Sequence, residues 1–485
     1  MKLQGTFDVN ASREMVWERI TDPALMAACI PGCQQIEEID PKSYKAIVTV
    51  GIGVIKAQFD LVVEITNENR PSEVRSRTAG QEGGRTSQLS AENVVKLIVL
   101  DQENTRVEYE SEVSISGRLG KFGLGVMRKY IEGIGDEFAD SFRMRIAGPG
   151  ATTESSDDKP VKSSKMARLL KYFGAGEKSE QPTVLVETAT AKEQVNQKNN
   201  TNRSVLHPNS IDEAISMLVE QAASFPLAGG ATLVAMKNAG LVQVSTFISL
   251  ERIENLTGIS QNSDGSIRIG AMTRHCETAA SEILSGTLSV VREAAQSIAN
   301  VPVRNMGTMG GSLANADPAA DYLAALICVD AQVELAGPNG ERTVDINDFL
   351  VDWYETALEH GEIIKAILLP PPSNGYSAYQ KVARVSGDFA VASCAISVNS
   401  ESSGDVISLA VGGCGPFPLR DRNAEQQLLG QQSDPQAVDK FSQKLVDIAD
   451  PVDDVRGSAE YRLQLIPQLV QHAISNIPAR GNTDV

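Results

Sequence analysis

The chain has 485 residues, 42% of them hydrophobic and 22% charged, and carries a formal net charge of −18 at pH 7. This length exceeds one ordinary hydrophobic core and indicates roughly three or four folding units of a soluble globular protein. No apolar run in the sequence approaches the roughly 18 residues that span a bilayer, and the first residues lack a secretory signal. We therefore expect a cytoplasmic protein with, at most, peripheral contact at the inner face of a membrane. The negative charge opposes nucleic-acid binding, which depends on Lys and Arg contacts with phosphates.

Neither the cysteines nor the histidines predict a metal site or a disulfide framework. The six cysteines are scattered, and only Cys29 and Cys33 lie close together. One C-x3-C pair supplies too few ligands for a structural zinc or an iron–sulfur cluster, so we expect both to be ordinary buried or half-buried thiols. The four histidines lie far apart in sequence and show no metal-ligand or catalytic-triad spacing.

Residues 1–148 are predicted to form one α+β domain. A short helix is expected within Val9–Ile20, capped by Asn10 or Ser12, and a strand-rich stretch follows it. An apolar stripe of helical spacing then predicts a closing helix that packs on a curved sheet. The stripe consists of Val126, Tyr130, Ile134, Phe138 and Phe142.

Residues 149–203 have the composition of a solvated linker, rich in Thr, Ser, Lys, Glu, Gln and Asn. Within them, Ser163–Phe173 is a short basic amphipathic segment. Two interpretations of it stay open: a helix that docks on its own protein, and one that contacts a membrane surface or a partner.

A second globular region is predicted from residue 204 onward. We divide it into residues 204–374, with a helix at Ile211–Glu220, and residues 375–485. In the latter part, strand-like alternation starts near Tyr376, and helices such as Ala459–Ile477 follow.

The first of two glycine-rich stretches is Leu227–Leu233, LAGGATL, in which two glycines and a hydroxyl stand between apolar flanks. Glycine removes the side chain and tolerates positive φ, so such a loop can bring backbone N–H groups close to a phosphate. Paired glycines also occur in plain turns. This motif alone therefore leaves ligand binding and a simple turn both open.

The second stretch, Arg304–Asp321, combines glycines, hydroxyls, amides and two carboxylates. This density of donors suits a pyrophosphate, ribityl or ribose group, whereas a polar structural loop needs fewer of them. The chain has no G-x-G-x-x-G after a predicted strand and no G-x-x-x-x-G-K-[ST]. A Rossmann dehydrogenase and a P-loop NTPase are therefore disfavoured.

The two glycine loops, in this order and about eighty residues apart, resemble those of the FAD subunit of carbon monoxide dehydrogenase and the FAD domain of xanthine dehydrogenase. The motifs that carry the resemblance are LAGGATLVAMKN, VRNMGTMGGSLANADPAADYLAAL, KVARVSGDFAVAS and DVRGSAEYR, within residues 204–478. The resemblance implies an α+β FAD-binding fold of two subdomains, of the vanillyl-alcohol-oxidase and xanthine dehydrogenase type. A smaller C-terminal α+β domain is expected to follow it.

The same resemblance implies which residues contact FAD. The positions near the pyrophosphate and ribityl groups are Ala228, Gly229, Gly230, Ala231, Thr232, Thr308, Met309, Gly310, Gly311 and Ser312. Asn315 and Asp321 align with polar positions near the same cofactor, and Lys381 and Asp388 with positions near the flavin ring. Phe389 stands where carbon monoxide dehydrogenases often have a tyrosine, and a Phe can shield a ring face but cannot hydrogen-bond to it. Ser312 replaces a common asparagine.

In these enzymes a molybdenum cofactor on a large subunit hydroxylates the substrate, and two [2Fe–2S] clusters on a small subunit pass electrons to FAD. The resemblance therefore implies an oxidoreductase complex in which this chain is the electron-transfer subunit and both metal centres reside on partner chains. The expected assembly is a dimer of heterotrimers, and the acceptor is a quinone or another oxidant. We expect no general acid or nucleophile from this polypeptide, because its part is to bind and orient FAD.

Residues 1–145 resemble the G subunit of carbon monoxide dehydrogenase, a START-like helix-grip protein. The segments GTFDVNASREMVWERITDPALMAACIPGCQQIE, VGIGVIKAQFD and SGRLGKFG carry this resemblance. Trp17 is expected in the core, and the pairs Asp22-Pro23 and Pro31-Gly32 at turns.

The long helix of a helix-grip domain either lines an apolar ligand cavity or fills the core, and both interpretations stay open. The candidate lining residues are Phe122, Met127, Ile131 and Ile134. Because relatives of this G subunit are linked to membrane recruitment, the domain is a candidate for bringing a quinone or the membrane near the flavin.

Two other classes of function remain for the whole chain. One is an assembly or recruitment scaffold that has lost flavin, which the intact glycine loops disfavour. The other is a free-standing FAD oxidase of the vanillyl alcohol type, which should carry a substrate domain that nothing in this sequence resembles.

Overall fold

The computed structural model describes residues 2–52, 55–82, 87–117, 135, 137–146, 204–221, 224–239, 241–242, 244–401 and 404–478. They fall into two compact units, one that ends at residue 146 and one that begins at residue 204. No helix among these residues is long and apolar enough to cross a bilayer. The finer boundaries at residues 148 and 374 stay predictions.

Several sequence predictions lie outside the described residues. They concern the linker at 149–203 with its segment Ser163–Phe173, the first three positions of the apolar stripe and the four candidate cavity-lining residues. The stripe positions are Val126, Tyr130 and Ile134, and the lining residues are Phe122, Met127, Ile131 and Ile134.

The N-terminal unit is one seven-stranded antiparallel sheet with helices. Its strands are β1 Lys2–Val9, β2 Cys33–Asp40, β3 Ser43–Ile52, β4 Ile55–Asn69, β5 Glu73–Glu82, β6 Ser87–Val99 and β7 Thr105–Gly117, in the order β1-β7-β6-β5-β4-β3-β2. Helices α1 Arg13–Ile20 and α2 Pro23–Cys29 connect β1 to β2, and α3, residues 137–146, follows β7. A six-strand meander extended by β1, with a helix after its last strand, is the helix-grip arrangement expected from the sequence.

The core of this unit lies where β1 meets α1 and α3. The Phe7 ring of β1 contacts the rings of Phe138 and Phe142 edge to face, with centroids 6.2 and 6.0 Å apart. Val16 and Trp17 of α1 are buried in the same cluster. Such aromatic pairs add about 0.5–1.5 kcal/mol each beyond the area they bury. The predicted core positions of Trp17, Phe138 and Phe142 are confirmed.

The first helix lies within the predicted segment Val9–Ile20 and carries one of the two predicted caps, but the strand before it was not predicted. The chain is extended through Val9 in β1, which the sequence analysis did not predict, and α1 begins only at Arg13. Ser12 rather than Asn10 is the cap, because its hydroxyl oxygen accepts a hydrogen bond from the Met15 N–H at 3.4 Å.

One of the two predicted turns is also different. Asp22 and Pro23 begin α2: the Asp22 carboxylate accepts the Ala24 N–H at 2.9 Å, and proline needs no acceptor at a first helical position. Gly32 does lie in a turn, with φ +79°, and an added Cβ would stand 2.2 Å from the Thr49 carbonyl oxygen. Cys29 is buried and Cys33 half-buried, as expected.

The C-terminal unit contains three main sheets. The parallel strands β8 Ser204–Leu206, β9 Ser224–Leu227 and β10 Thr246–Ser249 have the order β8-β10-β9. An antiparallel sheet follows with the order β11-β12-β17-β13-β14; its strands are β11 Ile259–Gln261, β12 Ile267–Gly270, β13 Gln332–Gly337, β14 Gly340–Asp345 and β17 Ile363–Leu369. The short strands β15 Leu350–Asp352 and β16 Glu355–Thr356 pair with each other. The last sheet is β18 Tyr376–Val382, β19 Ala392–Glu401 and β20 Gly404–Gly412.

The helices of this unit connect the strands and cover the sheets. They are α4 Ile211–Glu220, α5 Leu233–Asn238, α6 His275–Ala280, α7 Ser289–Ser297, α8 Val301–Arg304, α9 Met309–Asn315, α10 Asp321–Cys328, α11 Ile346–Phe349, α12 Arg422–Leu428, α13 Pro435–Asp447 and α14 Ala459–Ser475. Helix α10 is buried on all faces and packs against α7, β19 and β20. An apolar helix of this kind joins the last sheet to the rest of the unit, and Asp321 begins it.

Candidate functional site

The two glycine-rich stretches lie directly against each other. A Cβ added to Gly229 would stand 1.8 Å from the Met306 carbonyl oxygen, so a side chain cannot be accommodated without moving the backbone. A Cβ added to Gly311 would lie 3.3 Å from the Cβ of Ala228. The structure therefore brings together two segments that are distant in sequence.

The first stretch, between β9 and α5, presents free backbone donors. Among the described residues, no acceptor takes the N–H groups of Gly229, Gly230, Ala231 and Thr232. Gly230 adopts φ +78°, which turns the chain sharply just before α5. Consecutive unpaired N–H groups beside a helix start are suited to the oxygens of a phosphate.

The second stretch contains the start of helix α9. Thr308 caps α9, and its hydroxyl oxygen accepts the Gly311 N–H at 3.2 Å. Gly310 packs so closely on Ala271, the residue after β12, that an added Cβ would stand 2.5 Å from the Ala271 Cβ. Met309 is fully buried. The glycines are thus needed for close backbone packing.

Three of the predicted flavin-site residues form one buried cluster. The Lys381 ammonium donates to the carbonyl oxygens of Ser297 at 2.8 Å and Asp388 at 2.9 Å, and lies 2.9 Å from an Asp321 carboxylate oxygen. The Tyr379 hydroxyl donates to the same Asp321 oxygen at 2.7 Å. Burial raises the pKa of Asp321, and the Lys381 charge opposes that rise. All three ammonium hydrogens have acceptors, so Lys381 has none left for a further hydrogen bond.

The remaining predicted residues include the side chains of Asp388 and Phe389, next to this cluster, and two residues of α9. The Asp388 carboxylate accepts the Phe389 N–H at 2.9 Å and pairs with Arg384 at 2.9 Å. The Phe389 side chain is partly exposed. Ser312 and Asn315 are half-buried in α9, and the Asn315 side chain makes no hydrogen bond within the described residues.

The sequence analysis missed a buried carboxylate beside the site. Asp317 follows α9, accepts the Ala319 N–H at 3.0 Å and hydrogen-bonds the side chain of Tyr354. Burial raises the pKa of Asp317, while the nearby Arg456 opposes the rise. Tyr354 has φ +55°, a conformation that costs a residue other than glycine about 1–3 kcal/mol. The only sequence signal for Asp317 was its position in the ADPAAD motif, residues 316–321.

His275 lies beneath the second glycine stretch. An added Cβ on Gly307 would stand 2.5 Å from His275 Nε2, and the ring packs edge to face on Tyr322 with centroids 5.3 Å apart. Its buried Nδ1 has no hydrogen-bond partner among the described residues. Burial, with a contribution from Arg304, lowers the pKa of His275 to about 4.

We expect His275 to make the stability of this unit fall with acidity. The folded chain keeps the ring neutral down to about pH 4, whereas the unfolded chain takes up a proton near pH 6.5. Below pH 6.5 the unfolded state therefore binds more protons, and the free energy of unfolding decreases by up to about 3 kcal/mol by pH 4. The decrease in the free energy of unfolding is measured from the urea midpoints of the wild type and of His275→Gln at pH 7 and pH 5. An equally steep decrease in the variant would assign the slope to other groups.

Comparison with known proteins assigns a family to each region. Residues 198–372 match the FAD binding domain in molybdopterin dehydrogenase, and residues 377–477 match the CO dehydrogenase flavoprotein C-terminal domain. Residues 5–147 match the G subunit of carbon monoxide dehydrogenase, CoxG.

Individual relatives agree with this assignment. The carbon monoxide dehydrogenase medium chain of Hydrogenophaga pseudoflava is 34% identical over 278 residues, which are 56% of this chain and 96% of that relative. The medium chain from Afipia carboxidovorans is 35% identical over the same shares. The solved CO dehydrogenase from Oligotropha carboxidovorans has 33% identity and a TM-score of 0.54, covering 56% of this chain and 96% of its own. The chain therefore belongs to the FAD-binding medium subunits of the molybdenum hydroxylase family of oxidoreductases, and it carries an N-terminal domain of the CoxG type.

Proposed function

We propose that this chain is the electron-transfer subunit of a molybdenum hydroxylase complex. Electrons would enter from the [2Fe–2S] clusters of a small partner subunit, while a large partner subunit holds the molybdenum cofactor. They would leave to an external acceptor, a quinone or another oxidant. The observation that carries the proposal is the pair of touching glycine stretches, one of which offers four consecutive unpaired N–H groups within the described residues.

The residues present fit FAD. The N–H groups of Gly229–Thr232 suit the pyrophosphate oxygens, and the start of α9 at Thr308–Ser312, where Gly311 faces Ala228, forms the opposite wall. Bound FAD supplies a group that takes up electrons singly and releases them singly or in pairs. The Lys381–Asp321 pair keeps a balanced charge at the proposed flavin end, and Phe389 excludes water from a ring face.

The N-terminal domain is proposed to recruit the complex or to bind an apolar ligand. Support comes from its match to CoxG and from its separate core around Phe7 and Trp17. Flotation of the full chain with liposomes, with and without a quinone in the bilayer, tests this part. If the chain binds liposomes neither with nor without quinone, the proposed recruitment role of the N-terminal domain is wrong.

The visible absorption spectrum of the purified full chain tests the flavin proposal. We expect flavin bands, with FAD as the released cofactor at one molecule per chain, because the donors and the glycine wall are intact. A control with FMN should show weaker retention, since FMN lacks the pyrophosphate and the adenosine that the proposed loops hold. A colourless chain that also does not bind added FAD would instead favour the interpretation of this protein as a recruitment scaffold.

A further inference from the structure

The Phe389 ring, at the edge of the candidate site, makes one cation–π contact among the described residues. Its side chain is 39% exposed, and the guanidinium carbon of Arg456 lies 5.0 Å from the ring centroid. This distance is within the range of a cation–π contact. A phenylalanine has no polar atom of its own, so the contact with Arg456 is the interaction available to orient its exposed edge.

Arg456 is itself held by a chain of ion pairs that leads from the half-buried Arg456 to the buried Arg462. Its Nη1 lies 3.0 Å from one oxygen of Asp454, and the other oxygen of Asp454 accepts the Arg462 Nη2 at 2.6 Å. The Arg462 side chain is only 3% exposed. A planar guanidinium that is half-buried and paired with a fixed carboxylate is restricted in orientation, unlike an unpaired surface arginine.

The same buried arginine also fixes the chain that carries Phe389. Arg462 Nη1 donates to the carbonyl oxygens of Val391 at 2.5 Å and Gly413 at 2.7 Å. The Ala390 N–H donates to the Ala319 carbonyl oxygen at 3.3 Å, which places Phe389 beside the end of the second glycine stretch. Both members of the Phe389–Arg456 pair are therefore anchored to one point in the core.

We propose that Arg456 is a positioning residue that holds the Phe389 ring over the flavin end of the site. The inference rests on the proposed function, because it requires FAD to be bound where Phe389 lies. Phe389 closes the site only while its ring stays in one place, and the cation–π contact supplies that constraint. Loss of the contact should speed the release of FAD about two- to fivefold, the factor expected for an interaction of this kind near a surface.

The test compares FAD release rates from the loaded full chain, followed by the fluorescence of the freed cofactor. Arg456→Lys keeps the charge but not the planar stack, and Phe389→Leu removes the ring. We expect each to release FAD about two- to fivefold faster, and the double variant to be no faster than either. Arg422→Lys is the matched control, because this exposed arginine pairs only with Asp330 among the described residues. Its release rate should equal that of the wild type.

Each outcome decides one question. A wild-type chain that holds no FAD contradicts the proposed function itself. FAD that leaves the Arg456→Lys variant at the wild-type rate, or additive effects in the double variant, would overturn the positioning role. If Arg456→Lys does not fold, two variants of Phe389 replace it in the test. Phe389→Tyr should release FAD at the wild-type rate, and Phe389→Leu should release it faster. Equal release rates in these two variants refute the inference. A purely structural role for Arg456 would lower the melting temperature of the Arg456→Lys chain but leave its FAD release rate at the wild-type value.

Discussion

Gly229→Ala is expected to lower the affinity for FAD about tenfold or more. The new Cβ would stand 1.8 Å from the Met306 carbonyl oxygen, so the two glycine stretches must separate. Forced overpacking of this kind costs about 1–3 kcal/mol, and about 1.4 kcal/mol corresponds to a factor of ten in affinity. Equilibrium titration of the FAD-free chain with FAD measures the change directly.

Gly415→Ala is the matched control for this substitution. Its Cβ would meet the Leu419 side chain at 3.3 Å, a tight but adjustable contact, and the position has no positive φ. We expect nearly unchanged FAD affinity and a small shift in stability. Equal losses of FAD from the two variants would mean that Gly229 matters for folding alone and that the contact between the stretches does not shape the site.

Arg420→Ala is expected to reduce the free energy of unfolding of the C-terminal unit by about 3–5 kcal/mol. The Arg420 side chain is only 6% exposed; its guanidinium lies 2.9 Å from Glu425 and 2.8 Å from Asp330, and donates to the Ile327 carbonyl oxygen at 2.7 Å. Glu425 is buried as well, and burial raises the pKa of its carboxyl. Without the arginine, Glu425 is a buried charge with no ionic partner among the residues that the structure describes.

Arg422→Ala provides a control in the same charge cluster. Arg422 pairs with the same Asp330 oxygen at 2.6 Å, but its side chain is 57% exposed. Exposed pairs contribute about 0–1 kcal/mol, so this change should be small. The chain has two tryptophans, Trp17 and Trp353, one in each unit. Urea unfolding followed by Trp353 fluorescence in a Trp17→Phe background therefore reports the C-terminal unit separately, and comparable losses in both variants would contradict the burial argument.

Elements with strong local signals were predictable from the sequence. The helix Ile211–Glu220 has the predicted bounds because Ser210 caps it and its apolar residues repeat at helical spacing. Strand β18 begins at Tyr376, where the alternation starts. The glycine stretches were identified from composition, but their contact with each other was expected only through the family resemblance, since local spacing says nothing about which distant segments meet.

Features that depend on tertiary contacts were not predictable. Tyr354 adopts a left-handed conformation that its residue type does not signal, and its side chain hydrogen-bonds the buried Asp317, a contact between distant parts of the sequence. The Arg456–Phe389 pair joins residues from separate segments of the chain. The predicted cofactor positions are still a proposal, although the structure does bring Lys381, Asp388 and Asp321 into one cluster.

The contact between Gly229 and Met306 also links cofactor supply to the lifetime of the protein. Because the opposing walls come from distant segments, they exist together only in a chain whose C-terminal unit is fully folded. A ligand that binds only that state adds about 2.7 kcal/mol of stability at a hundredfold excess over its Kd. Riboflavin is the precursor of FAD, so chains made when riboflavin is scarce would lack this stabilisation. A larger fraction of them would be unfolded and accessible to proteases. We therefore expect the half-life of this subunit, followed by pulse-chase, to shorten when cells lack riboflavin, even when transcription is constant.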